Sequence, residues 1–213
     1  MIYLFILSLM IGLTTAYLLD LVTKRLLIQY NLPWSSIHFY YILLPVLLLL
    51  LGLKRPSLPS YLIGYCFLCL LTITATMDYY TFEVRHRFVI LIGVLGILQH
   101  YLIGFPTLLD MLIGFFAASL PLLIISMLTN GSIGGGDIKL LASCGLLLGY
   151  SNVLLGTFLA ILLGGFYGIF LLVKGTKNKK DALPFVPFLA IGLGVSYLWG
   201  PSIIHWYLDF FYY

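Results

Sequence analysis

Three observations predict an all-α polytopic membrane protein. The composition is too apolar for water, the apolar runs approach membrane-spanning length, and the basic residues fall almost wholly in alternate loops. Of 213 residues, 62% are hydrophobic and 8% are charged, whereas a soluble domain carries about 25% charged residues. The mean hydropathy is +1.11. So few charges cannot cover a folded chain in water, which excludes an ordinary soluble domain.

A hydrocarbon layer about 30 Å thick is crossed by roughly 20 helical residues. About eight transmembrane helices are expected, over 2–22, 37–53, 59–77, 88–104, 109–128, 138–150, 152–173 and 185–207. The first run has no charge before Asp20 and is followed by Lys24 and Arg25. It lacks the basic start of a cleavable signal peptide and is expected to stay as a helix with its N-terminus outside. The second run closes on Lys54 and Arg55, the third stops just before Asp78, and the fourth follows Arg85 and Arg87. The sixth run is short, and Tyr150-Ser151-Asn152 is a very tight connection to the seventh. A count of six or seven helices therefore fits the same runs. The seventh run ends at the longest polar loop, Lys174–Asp181, and the eighth ends in Trp206, Tyr207, Phe210, Phe211, Tyr212 and Tyr213, an interfacial aromatic belt.

The charges test this topology independently. With the N-terminus outside, the inner loops hold Lys24, Arg25, Arg85, Arg87, Lys139, Lys174, Lys177, Lys179 and Lys180, and the outer side holds only Lys54 and Arg55. That is nine of eleven basic residues inside, as the positive-inside rule requires. The same placement accounts for the net charge of +4 without a nucleic-acid partner. Cys66, Cys69 and Cys144 lie within apolar runs, so no disulfide framework is indicated. Cys66 and Cys69 form a Cys-x-x-Cys pair, but a structural zinc site takes four ligands and no second pair exists. Packing is the preferred role for that pair, and neither a metal nor a cofactor is expected. No repeat or soluble segment breaks the chain, which is expected to be one membrane-embedded domain over 1–213.

Only seven acidic residues occur: Asp20, Asp78, Glu83, Asp110, Asp137, Asp181 and Asp209. A carboxylate near hydrocarbon is costly, so each needs a reason. Asp78 ends the third run and Asp137 opens the sixth, which puts both at one membrane face. Two carboxylates held close cannot both ionise easily and share a proton, so that one activates water while the other donates to a carbonyl. Three glycines, Gly134, Gly135 and Gly136, precede Asp137, freeing the backbone and allowing another chain to approach closely. The ordinary alternative is a sharp loop with Asp137 as the N-cap of the next helix.

Gly134-Gly135-Gly136-Asp137 matches the GxGD motif of the GxGD aspartic proteases. The extended Gly136-Asp137-Ile138-Lys139-Leu140-Leu141-Ala142, followed by Gly145 and Leu148-Gly149, resembles the second catalytic motif of the prepilin (type IV leader) peptidases. Leu108–Gly114 is also similar to that family, and Leu183-Pro184-Phe185-Val186-Pro187-Phe188-Leu189-Ala190-Ile191-Gly192 resembles its PFGPFLALG-like segment. The resemblance covers roughly 70–195. It implies an aspartic endopeptidase of the bacterial inner membrane, with Asp78 and Asp137 catalytic at the cytoplasmic side. Gly134, Gly136 and Lys139 would shape the motif. Prepilins or pseudopilins would be the substrates, each with a short basic leader before a hydrophobic helix. The family usually has an Ile-Pro pair several residues after its first catalytic Asp; here that place reads Glu83-Val84-Arg85. Many members also methylate the new pilin N-terminus from a larger first cytoplasmic domain with paired CxxC motifs. The first inner loop here, Thr23 to Ser36, is short and has no cysteine, so methylation is expected to be absent.

Presenilin-like proteases share GxGD but pair it with Tyr-Asp and Pro-Ala-Leu motifs, whereas Met77 precedes Asp78 here and Leu183-Pro184 does not match. A proton- or cation-coupled transporter using the same two Asp is the rival of another class. The remaining charges have bland explanations. Asp20 and Lys24 are spaced for an i,i+4 ion pair. Glu83 and Asp181 belong to solvated loops, and Asp110 and Asp209 to the outer interface. Lys139 either offsets charge beside the pair or snorkels to headgroups.

Overall fold

A computed structural model describes residues 2–30, 39–54, 57–129, 131, 133–176 and 182–212, with side chains from Met10 onward except at 39, 54, 211 and 212. Residues 31–38 of the segment between the first two helices, Ser132, Arg55 and the charges from Lys177 to Asp181 lie outside the described residues. The described chain is helical throughout: α1 (Ile2–Ile28), α2 (Phe39–Lys54), α3 (Leu58–Thr81), α4 (His86–Ile103), α5 (Leu108–Ala117), α6 (Ser119–Leu128), α7 (Gly135–Val173) and α8 (Val186–Tyr212). Among the described residues, five stretches are long and apolar enough to cross a membrane: Leu58–Thr81, His86–Ile103, Leu108–Leu128, Gly135–Val173 and Val186–Phe210, with Tyr40–Leu53 a shorter apolar helix. Helices satisfy their own backbone hydrogen bonds, which a chain in hydrocarbon must do. Their outer faces expose large apolar side chains such as Ile90, Leu98, Leu109 and Phe158, a surface suited to lipid and not to water.

The helix ends follow local sequence. Pro59 sits in the first turn of α3, where its missing N–H costs nothing. Gly104 closes α4 in the left-handed conformation at φ 77°. Thr107 caps α5 in a capping box: its hydroxyl accepts from the Asp110 amide at 3.2 Å and donates to the Asp110 carboxylate at 2.7 Å. Asp110, expected only as an interfacial charge, thus has a defined structural role.

The two runs expected over 138–150 and 152–173 both lie in α7, which breaks at Gly149 (φ 75°, ψ 172°). A straight helix of its 39 residues would reach about 58 Å, roughly twice the hydrocarbon layer. The contacts show that the chain turns back instead. Before the break, Leu147 O accepts from buried Gln99 Nε2 of α4 at 3.1 Å, and Gly145 lies against Gly114 of α5. After it, Ser196 of α8 donates to Asn152 O at 2.6 Å, Gly156 lies against Gly192 and Leu193, and Tyr167 meets Phe188 at 5.5 Å between ring centroids. Both ends of α7 therefore return to the same end of the bundle, the end that holds Asp78.

The other helices alternate about that end. Tyr30, just past α1, donates to Glu83 at 2.7 Å, and Tyr40 at the start of α2 donates to Thr76 at 2.5 Å. Ser126 near the end of α6 donates to Ile133 O at 3.0 Å. Thus α1, α3, α5–α6 and the second half of α7 run towards the Asp78 end, while α2, α4, the first half of α7 and α8 run away from it. The main core lies between α3, α4, α7 and α8, with Phe67, Leu71, Leu140, Leu141, Leu189 and Leu193 almost fully buried. A smaller cluster of Ala16, Tyr40 and Leu44 joins α1 to α2.

Candidate active site

Asp78 is carried on the last turn of α3 and Asp137 on the first turn of α7. Both are buried, at 5% and 9% exposure, and Asp137 lies within electrostatic range of Asp78. The structure brings these two aspartates, distant in the chain, to one end of the fold. Burial of a carboxylate is expensive unless a dipole or hydrogen bond compensates it. For Asp78 the compensation comes from α8: the Val186 amide donates to Asp78 Oδ2 at 3.1 Å. Val186 is the first residue of α8, so this amide is one of the four N–H groups that a helix start leaves unpaired, and it carries the positive end of the helix dipole.

Asp137 is held differently. The N-cap of α7 is Gly134, not Asp137, and it caps without a side chain. Asp137 stands three residues further on, where a carboxylate again meets a helix N-terminus. Among the described residues its side chain receives no hydrogen bond. The explanation of Asp137 as the N-cap therefore fails. The glycines around it have distinct jobs. A Cβ on Gly134 would come within 3.1 Å of Asp137 Oδ2, and one on Gly136 within 2.8 Å of the Val84 side chain. Gly135 has open space. The close approach expected at this motif is thus made at Gly136 by the protein's own Val84. Lys139 is exposed and forms no ion pair among the described residues, which fits snorkelling.

Val84 belongs to the four-residue strap 82–85 that joins α3 to α4. Phe82 starts it at φ 53°. Glu83 accepts from Tyr30, Arg85 donates to Gln29 Oε1 at 3.2 Å, and the Arg85 guanidinium lies 5.3 Å over the Tyr30 ring. The strap so connects the end of α1 to both aspartates. Glu83 is exposed, as expected, but it is bound to Tyr30. Asp20 differs from expectation: no ion pair to Lys24 forms among the described residues, and its Oδ1 is buried with no hydrogen-bond partner. Cys66 is exposed, Cys69 half-buried and Cys144 buried, all as free thiols. Among the described residues no group of three His, Cys, Asp or Glu is placed to hold a metal.

Sequence reasoning missed Val186, Val84 and Tyr30 as parts of the site. Val186 had a signal, since Pro184 and Pro187 bracket a helix start and mark its free amide. The other two are long-range contacts with no local signature.

An all-helical bundle of apolar helices that buries two carboxylates at one end is a polytopic membrane protein built around an aspartate pair. Residues 65–169, a segment that contains both aspartates, match the type IV leader peptidase family. It is 40% identical over 97 residues to a prepilin leader peptidase/N-methyltransferase of Bacillus subtilis (strain 168), covering 46% of this chain and 39% of the relative. It is 38% identical over 121 residues to the Aeromonas hydrophila protein of the same name, covering 54% and 42%. With the Aeromonas salmonicida (strain A449) protein it shares 36% identity over 119 residues, covering 54% and 41%. The chain spans about two fifths of the length of the curated relatives it matches. No solved structure matches it.

Proposed function

We propose that the protein is an aspartic endopeptidase that removes the basic leader from type IV prepilins or pseudopilin-like precursors. The observation that carries this is the burial of Asp78 and Asp137 within reach of each other's charge, inside the segment matched to the type IV leader peptidases. The pair holds one proton, because two buried like charges are costly together. The ionised carboxylate takes a proton from water, whose oxygen attacks the scissile carbonyl carbon. The protonated carboxyl gives its proton to the carbonyl oxygen, forming a neutral tetrahedral diol. Collapse of the diol breaks the C–N bond: the proton held by the base passes to the leaving amine, and a diol hydroxyl returns its proton to the other carboxylate, which leaves a carboxylic acid product and restores the pair. The Val186 amide bonds and aims the Asp78 carboxylate while Asp137 receives no hydrogen bond among the described residues, which casts Asp78 as the base and Asp137 as the acid.

The site is read as cytoplasmic, in a multi-pass bacterial inner-membrane protein. Lys24, Arg25, Arg85, Arg87, Lys139 and Lys174 all belong to the Asp78 end of the bundle, in line with the positive-inside rule. Methyl transfer is not part of the proposal, since the segment between α1 and α2 is short and has no cysteine.

The test is cleavage of a full-length prepilin by the wild type, Asp78→Asn and Asp137→Asn in membranes. Cleavage by the wild type and its loss in both folded variants is the expected result. Full activity in either variant would remove that residue from the mechanism.

A further inference from the structure

Beside the aspartate pair, α2, α3 and α8 enclose a cavity of about 500 Å³ that the mechanism does not use. On α3 it is lined by Leu68, Thr72, Thr76 and Tyr80, and on α8 by Pro187, Ala190, Gly194 and Leu198. Each set repeats at three- or four-residue spacing, so each is a stripe along one helix face. The α3 stripe reaches from Leu68 to Tyr80 and the α8 stripe from Pro187 to Trp199. Each is twelve residue steps, about 18 Å of helix or three turns. Leu43, Leu47 and Leu50 of α2 form the third wall. The space is a lengthwise trough with parallel rails, not a closed void.

The trough ends at the site. Tyr79 and Tyr80 follow Asp78 directly in the chain, and Pro187 follows Val186, whose amide holds the Asp78 carboxylate. An object lying in the trough thus presents one end to the aspartates. Its inner surface carries Ala75, Ala190 and Gly194, small residues of the kind that let a second helix backbone come close in lipid. An acyl chain has no need of such residues or of paired helical rails.

We propose that this trough seats the hydrophobic helix of the substrate for about three turns, with the helix N-terminus at Asp78. This rests on the endopeptidase function proposed above and goes further by naming where specificity arises. The helix lies parallel to α8 and antiparallel to α3. Its positive dipole end faces the acidic pair, and the leader emerges beyond the bundle at the Asp78 end.

Two measurements on the full chain in nanodiscs test this. A photo-reactive phenylalanine analogue replaces Ile191 in the trough or Phe158 on the lipid-facing side of α7, in the Asp137→Asn background, with a full-length prepilin added. Adducts from position 191 to the prepilin's hydrophobic helix, and none from position 158, are expected. Separately, Gly194→Phe fills the trough and should raise KM for that prepilin about tenfold, with kcat nearly unchanged. Gly168→Phe, on α7 where a side chain meets open space, should leave both constants unchanged. If the wild type cleaves the prepilin while position 191 captures only lipid or only the leader, the trough is not the substrate seat, though the peptidase function stands. An unchanged KM in folded Gly194→Phe overturns the proposal in the same way. If the wild type neither cleaves nor captures any prepilin, the endopeptidase function fails and the trough proposal with it.

Discussion

The helices that carry the site and the α1–α2 pair are joined by different means. Around α7, backbone meets backbone. Gly114 of α5 lies against Gly145 of α7, Gly96 of α4 against Leu147, and Gly156 against Leu193 of α8. Such contacts leave no side chain to adjust, so the helices hold one spacing. The pair α1–α2 meets the rest through side chains instead: Thr15 with Tyr65, Tyr40 with Thr76, and Leu48 and Leu51 in the main core. Hydroxyl links have rotational freedom and modest net strength. Rigidity is thus concentrated around α7, the helix that carries Asp137. The matched family segment, residues 65–169, contains the glycine contacts between α4, α5 and α7 and begins beyond α2.

This contrast is open to attack from its strongest point downward. The largest effect is expected at the pair itself. Asp78→Asn and Asp137→Asn should each lower the cleavage rate by about 10²–10⁴, with the helical circular dichroism signal retained. Next comes Gly145→Leu, which forces a side chain into the Gly114 backbone. Overpacking of this kind costs about 1–3 kcal/mol, and thermal unfolding in detergent should register it together with a loss of cleavage. Tyr40→Phe removes one buried hydroxyl from the α1–α2 attachment and should cost about 1 kcal/mol, with cleavage largely kept. The smallest effect is expected for Tyr30→Phe, since the Glu83 contact is exposed and such contacts contribute about 0–1 kcal/mol. If Tyr40→Phe proved more damaging than Gly145→Leu, the division into a rigid and an adaptable region would be wrong.

The elements and the aspartate pair were legible in the sequence because both have one-dimensional signatures. Apolar runs of spanning length mark helices, and only seven acidic residues compete for attention in so apolar a chain. The tight Tyr150-Ser151-Asn152 connection pointed to a turn, and the break lies at Gly149 beside it. What stayed hidden depends on contacts between distant positions. Gly136 could be read as a place of close approach, but not that Val84 fills it. Asp20 and Lys24 have ion-pair spacing, yet Asp20 lies near Tyr40 and Tyr41, because α2 packs on that face of α1. The trough was not visible at all, since no single helix carries more than one of its walls.

The early reversal at Gly149 bears on the bilayer around the protein. From Gly135 to Leu148 the chain has fourteen residues, about 21 Å of helix, against a hydrocarbon layer of about 30 Å. Such hydrophobic mismatch is relieved when the bilayer thins beside the short element or polar groups are drawn inward. The short helix bearing Asp137 therefore favours a thinner bilayer beside it than the longer helices of the bundle do.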